Sequence, residues 1–439
     1  MKLKAGLIAF TVICGCQSVA PQSTSAQTSV MIDTLISEIE PDVIAWRRDI
    51  HQNPELSNRE FRTSELVADH LRSLGMDVTT DIAVTGVVGV LKGARPGPVI
   101  ALRADMDALP IREDTGLPFA STVTAEYGFS NTVPVMHACG HDAHTAILMG
   151  AASVLAEMQD EIAGTVLFVF QPAEEGAPMG EFGGAARMLE EGVFDELTPE
   201  AMFALHVEPG PVGRIYTHPQ GFLAGASTLS IHMEGSGTHA AKPWSGSDLP
   251  SLGADIIKAM GMIAARRIDV LHEPSVISLA RIEIGARHNI MPATGDMMGT
   301  VRVYSEARLA QIKEEISRAV AGLAMVYDAS ATVSYSDEIP PTVNNTELLH
   351  KVLPSLEIAA GEAGLDAEST PRAAAEDFSH FARVIPSVYF ILGSTKNFES
   401  FETAPSNHSP QFDIDEAVLA VGVRAHVQIT MDYLDGSGD

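Results

Sequence analysis

The eight residues His137-Ala138-Cys139-Gly140-His141-Asp142-Ala143-His144 gather one thiol and three imidazoles around a single glycine. Thiolate and imidazole two positions apart in a tight loop can both face one metal centre. Soft sulfur with borderline nitrogen suits zinc and related transition metals. A cysteine in isolation reads as a buried, inert thiol, but this density of ligand-type side chains is hard to assign to packing. In Arg103-Ala104-Asp105-Met106-Asp107-Ala108-Leu109-Pro110 two carboxylates precede a proline; such a pair forms a turn, orients neighbouring ligands or binds a cation. Gln171-Pro172-Ala173-Glu174-Glu175-Gly176 sets adjacent carboxylates after an apolar stretch. One can ligate a metal while the other faces the substrate as a general base. His206, between Leu205 and Val207, and His408, in a polar turn before Ser409-Pro410, say nothing alone.

These segments need elements that present them together. Residues 31–75 read as helices punctuated by Pro54 and Gly75, then 78–91 and 98–104 as strands. Residues 143–158 have helical periodicity, and 164–170 and 203–207 are short apolar runs of the buried-strand kind. Such alternation predicts an α/β layer with a largely parallel sheet, whose strand ends carry the site. After Pro219 the pattern changes: strand 227–233, helix 249–267, strands 275–284 and 296–304, helix 307–327, strand 331–335. That β-α-β-β-α-β order predicts a ferredoxin-like sandwich. The expected organisation is a catalytic α/β domain over 31–221 plus 336–439, with a small α+β domain over 222–335 inserted into it.

A chain of 439 residues exceeds one ordinary core. Its formal net charge of −29 repels nucleic acid and anionic membrane surfaces, so neither is an expected partner. Residues 1–30 stand apart from the fold. Lys2 and Lys4 form a basic start, and residues 5–13 are an apolar run too short to span a bilayer. Ile13-Cys14-Gly15-Cys16 then resembles a bacterial lipobox that would lipidate Cys16, with plain secretory cleavage after Ser18-Val19-Ala20 as the alternative. The expectation is export to the periplasmic face of a bacterial membrane, anchored only through lipid, on a flexible tether over 17–30. Cys139 is then the one interior cysteine, so no internal disulfide framework exists.

Together the segments resemble the M20 peptidase family, in the amidohydrolase branch of hippurate hydrolases, indole-acetyl-amino-acid hydrolases and N-acyl amino acid amidohydrolases. The resemblance runs from about Arg47 to Ala417. It includes Arg48-Asp49-Ile50-His51-Gln52-Asn53-Pro54-Glu55-Leu56, the Asp105-Met106-Asp107 segment, Cys139-Gly140-His141-Asp142 and Gln171-Pro172-Ala173-Glu174-Glu175. Further on come Gly237-Thr238-His239-Ala240-Ala241, Asn289-Ile290-Met291-Pro292, Gly299-Thr300-Val301-Arg302, Ala375-Glu376-Asp377-Phe378-Ser379 and the His408 turn.

The resemblance implies a zinc-exopeptidase-like catalytic domain whose inserted domain acts as a lid and a dimerisation surface. It implies two divalent ions, zinc, manganese or cobalt, held by Cys139, His141, Glu175, His206 and His408. Glu174 would be the general base, Asp107 would steady a ligand histidine, and His239 would stabilise the oxyanion from the same chain or a partner subunit. Asn289 and Arg302 would hold the substrate, an N-acyl amino acid or a short peptide. Trp244 stands where the family usually has histidine, and His288 precedes the Asn-x-x-Pro segment. Trp244 would offer an acyl group or side chain an apolar contact.

Overall fold

The computed structural model describes residues 25–128, 131–395 and 403–436, so Cys16 and the signal-like segment lie outside the described residues. No helix among them is long and apolar enough to cross a membrane. The first helix, Ser25–Gln52, starts inside the stretch read as a tether. Extending an existing helix gains one hydrogen bond per residue fixed, which outweighs the Ser/Thr/Gln composition there. The helix stops short of Pro54, whose ring disfavours helical backbone in the residue before it.

An eight-stranded sheet forms the larger layer. Its spatial order is Asp77–Ile82, Gly86–Lys92, Ala163–Gln171, Arg95–Asp105, Ala201–Pro211, Ser387–Thr395, Ile215–Tyr216 and Leu365–Asp366. The four strands from Ala163–Gln171 to Ser387–Thr395 run parallel. Their residues alternate between two cores: Ile100, Leu102, Val166 and Phe168 face the helices Ser25–Gln52, His141–Glu157 and Ala417–Asp435. Ala101, Leu167 and Val169 face the opposite core with Phe378 and Phe381. The stretch 78–91 is not one strand but an antiparallel hairpin. Its turn uses Ala83 and Val84 at φ 50° and 86°, a conformation with no glycine to announce it.

Helix His141–Glu157 is buried along nearly its whole length, which explains why its apolar residues circle the axis rather than marking one stripe. Its N-terminus therefore lies inside the protein, at the carboxyl ends of the parallel strands.

Residues 225–339 build a second, antiparallel sheet in the order Val276–Ile284, Thr294–Val303, Gly225–Glu234, Ser330–Ile339. Helices Leu249–Arg266 and Glu306–Val326 cover one face around Leu229, Ile231, Met297, Ile312 and Ile316. The connectivity is β-α-β-β-α-β, so the architecture is a zinc-exopeptidase-like α/β layer carrying an inserted ferredoxin-like sandwich.

Candidate metal centre

Gly140 precedes the buried helix at φ 99°, and a Cβ there would lie 2.3 Å from Val207 Cγ2. Only glycine combines that left-handed backbone with that close approach. The turn places Cys139 on one side and starts the helix with His141 on the other. The Glu174-Glu175 loop is fixed by a single carboxylate. Asp107 accepts hydrogen bonds from Glu174 N (3.0 Å), Glu175 N (3.1 Å) and Ser57 Oγ (2.7 Å). Its Oδ1 also lies 3.3 Å from His141 Nδ1.

The two histidines that were silent in the sequence converge on the thiol. His206 Nδ1 faces the Val207 carbonyl at 2.9 Å. A carbonyl only accepts, so Nδ1 carries the proton and Nε2 is left to point at Cys139 Sγ, 3.4 Å away. His408 Nε2 lies 3.3 Å from the same sulfur and 3.0 Å from Glu175 Oε1. Its turn is held by His408 N donating to Ala138 O (2.7 Å) and by Asn407 Nδ2 donating to Cys139 O (2.9 Å) and Val207 O (3.1 Å). Glu174 Oε2 lies 3.9 Å from His141 Nε2.

The donors fall into overlapping sets, Cys139-His141-His206, Cys139-Glu175-His408 and His141-Glu174-Glu175, with donor atoms within 4.8 Å of one another in each. Neither ring nitrogen of buried His141 completes a hydrogen bond. Buried polar atoms left without partners are costly. Here the donor atoms lie close together, and their mixture of sulfur, imidazole and carboxylate fits divalent metal ions.

Electrostatics reinforce the point. Burial works against a charged His141, but Asp105 and Asp107 outweigh it and raise the imidazole to about 10. Burial, followed by the Glu376 and Glu175 carboxylates, pushes the Glu174 carboxyl well above its usual range. Burial and the Glu175 and Glu174 charges push up the Cys139 thiol. So much negative charge in one buried place invites a cation.

Beneath the loops lies a network that sequence reading did not assign. Arg103, fully buried, donates to Gln171 Oε1 (2.9 Å), Asp105 Oδ2 (2.6 Å) and Glu376 Oε1 (2.9 Å), and Tyr389 Oη donates to Glu376 Oε2 (2.6 Å). Asp105 Oδ1 pairs with His144 Nδ1 at 2.6 Å, and Val207 N donates to His144 Nε2 at 2.8 Å. The available signal was a cation and a carboxylate two apart in an otherwise apolar strand, since such groups are buried only when paired.

A cavity of about 530 Å³ opens over the centre, lined by Cys139, Glu174, Glu175, His206, Glu376 and His408 among others. His239, Asn289 and Arg302 do not line it. His239 is exposed on a short ribbon opposite Ile290, where Ala240 N donates to Asn289 O (3.1 Å). His239 and Asn289 thus come together, away from Glu174. Asn289 Oδ1 has no hydrogen-bond partner. Arg302 sits in the second sheet opposite Ala226 and Val276 and forms no ion pair among the described residues. Trp244, 79 % exposed, does not pack into its own domain.

A parallel sheet with sulfur, imidazole and carboxylate donors at its strand ends defines a metal-dependent hydrolase. The model of peptidase family M20/M25/M40 matches residues 101–432. Thermostable carboxypeptidase 1 of Saccharolobus solfataricus is 37 % identical over 91 % of this chain and 97 % of its own. N-acetylcysteine deacetylase of Bacillus subtilis is 34 % identical over 90 % and 97 %. The crystal structure of Bacillus subtilis YXEP protein, described as a dinuclear metal-binding peptidase from the M20 family, superposes with a TM-score of 0.75 at 31 % identity, covering 91 % and 99 %. The chain belongs to peptidase family M20/M25/M40, and it is a metal-dependent amidohydrolase.

Proposed function

We propose that the protein hydrolyses the amide bond of small N-acyl amino acids, with Glu174 as general base. The observation that carries this reading is the setting of Glu174. Its carboxylate lines the cavity beside Cys139, Glu175, His206 and His408, and burial beside other carboxylates strengthens its hold on a proton. Cys139, His141, Glu175, His206 and His408 would hold two divalent ions, zinc, manganese or cobalt. Bound there, such ions supply Lewis acidity that activates water at neutral pH and polarises the scissile carbonyl. Glu174 removes the proton from the attacking water and delivers it to the nitrogen of the leaving amine. Asp107 orients His141 through Nδ1 while gripping the Glu174 and Glu175 amides, so base and ligands keep one register.

His239 stabilises the oxyanion once the inserted domain closes or a partner subunit of a homodimer presents it. Asn289, through its amide nitrogen, and Arg302, which forms no ion pair among the described residues, receive the substrate carboxylate. Lipid anchoring at Cys16 on the periplasmic face belongs to the same proposal, on the strength of the lipobox-like sequence. The second reading is a carboxypeptidase or dipeptidase on the same centre, favoured by the likeness to a thermostable carboxypeptidase.

The test restores zinc, manganese or cobalt to chelated protein and screens N-acyl amino acids against dipeptides. Glu174→Gln should lower kcat by roughly 10²–10⁴-fold with metal content retained. Unaffected turnover in that variant would remove Glu174 from the role.

A further inference from the structure

A second, smaller cavity meets the first at Glu175 and Gly176, which line both. It holds about 210 Å³, less than the roughly 300–1,000 Å³ of a pocket that encloses a whole small ligand. Its size suits one end of a substrate whose other end lies over the metal centre. Its apolar walls come from three separate segments: Leu56 before the second helix, Leu109-Pro110 after the Asp107 loop, and Pro178-Met179 after Gly176. Tyr127, on the short hairpin Thr124–Tyr127/Asn131–Pro134, closes it.

The charged groups on its walls have partners. Arg59, its one cation among the described residues, pairs with Glu181 on the same wall and donates to Asn58 O. Glu175 lies against His408, and Glu126 accepts from Thr132 Oγ1 at 2.9 Å. Among the described residues no uncommitted cation lines it, and Glu126, Glu175 and Glu181 make its walls acidic. Met179 is 75 % exposed and Tyr127 45 % exposed, so large apolar side chains stand open to water. Exposed apolar side chains gathered around a concavity mark a contact surface.

We infer that this cavity is the acyl subsite, taking an uncharged apolar acyl group of the size of a short alkyl chain or a single aromatic ring, while the amino acid half occupies the larger cavity. The assignment rests on the amidohydrolase reading. The inserted domain sets the orientation: Ile339, at the end of its sheet, lines the larger cavity, whereas the described residues that wall the small one all lie between 56 and 181. The half whose carboxylate goes to Asn289 and Arg302 therefore takes the larger cavity, and the scissile amide sits at Glu175 with its acyl carbon towards Tyr127 and Met179. A free α-amine would be the competing occupant, since acidic walls attract it.

The test uses kcat/KM of metal-restored protein for N-acetyl, N-hexanoyl and N-benzoyl derivatives of one amino acid, for N-acetyl derivatives of several amino acids, and for a dipeptide. Tyr127→Ala, which removes a wall, and Met179→Trp, which fills the space, should each lower the benzoyl-to-acetyl ratio about tenfold. The ranking among leaving amino acids should stay unchanged. Each ratio is internal to one preparation, so a partly unfolded variant does not mimic the result. An unchanged ratio, an altered amino acid ranking, or a selective loss of dipeptide cleavage would overturn the assignment. Wild-type protein that cleaves no N-acyl amino acid would instead sink the functional reading on which it rests.

Discussion

Arg47 Nε donates to Asp142 Oδ2 across 2.8 Å, with the two side chains 2 % and 1 % exposed. The guanidinium also reaches Asp413 Oδ1 (3.3 Å) and Glu416 Oε1 (3.4 Å). One buried cation therefore ties the first helix to the residue beside His141 and to the chain just after His408. Two of the segments that carry candidate metal ligands are fastened to it.

Removing that cation strands the Asp142 carboxylate among buried groups. Arg47→Met should cost about 3–5 kcal/mol, the usual consequence of breaking a buried pair from one side, as read from urea unfolding. Adding Asp142→Asn should recover part of the loss. A single variant as stable as wild type would show that the pair contributes nothing.

Stability should also depend on pH through His51. Its Nδ1 lies 2.8 Å from Asp142 Oδ2 and its Nε2 3.2 Å from Glu113 Oε1. Burial opposes the charged imidazole, but Asp142 and then Glu113 outweigh it and push the group up to about 9 from 6.5. A folded pKa above the unfolded one means the protonated form stabilises. That contribution, roughly 3 kcal/mol, is complete below about pH 6.5 and is lost as pH rises through about 9. Melting temperatures between pH 6.5 and 9 should fall more steeply for wild type than for His51→Asn; parallel curves would contradict it.

Gly140 offers a test of the turn itself. Gly140→Ala forces a Cβ to within 2.3 Å of Val207 Cγ2 at φ 99°. Backbone strain and overpacking each cost about 1–3 kcal/mol. The variant should melt lower and bind metal less tightly in calorimetric titration, since Cys139 and His141 flank the displaced turn. Unchanged affinity with a lowered melting temperature would separate the turn's folding role from its part in the site.

Several parts of the site were readable because ligand-type side chains crowd short loops. Cys139 and His141, and Glu174 with Glu175, stand out where packing gives no reason for them. The inserted sandwich was readable because the hydrophobic period changes after Pro219. The turn at Ala83-Val84 was not, since nothing in those residue types favours a positive φ. His206 and His408 carried no signal of their own; the resemblance alone named them, and only the fold brings both within 3.4 Å of one sulfur.

The sequence by itself determined the donor types, the elements that carry them and the family to which they belong, because local composition and periodicity are properties of neighbouring residues. Tertiary structure decided what depends on distance across the chain. It set the convergence on Cys139, the burial of Arg103 beneath the centre and the clamp at Arg47. It also held His239, Asn289 and Arg302 outside the cavity of Glu174. Spacing along a chain does not fix how an inserted domain is oriented. That orientation follows from packing between surfaces whose partners are hundreds of residues apart.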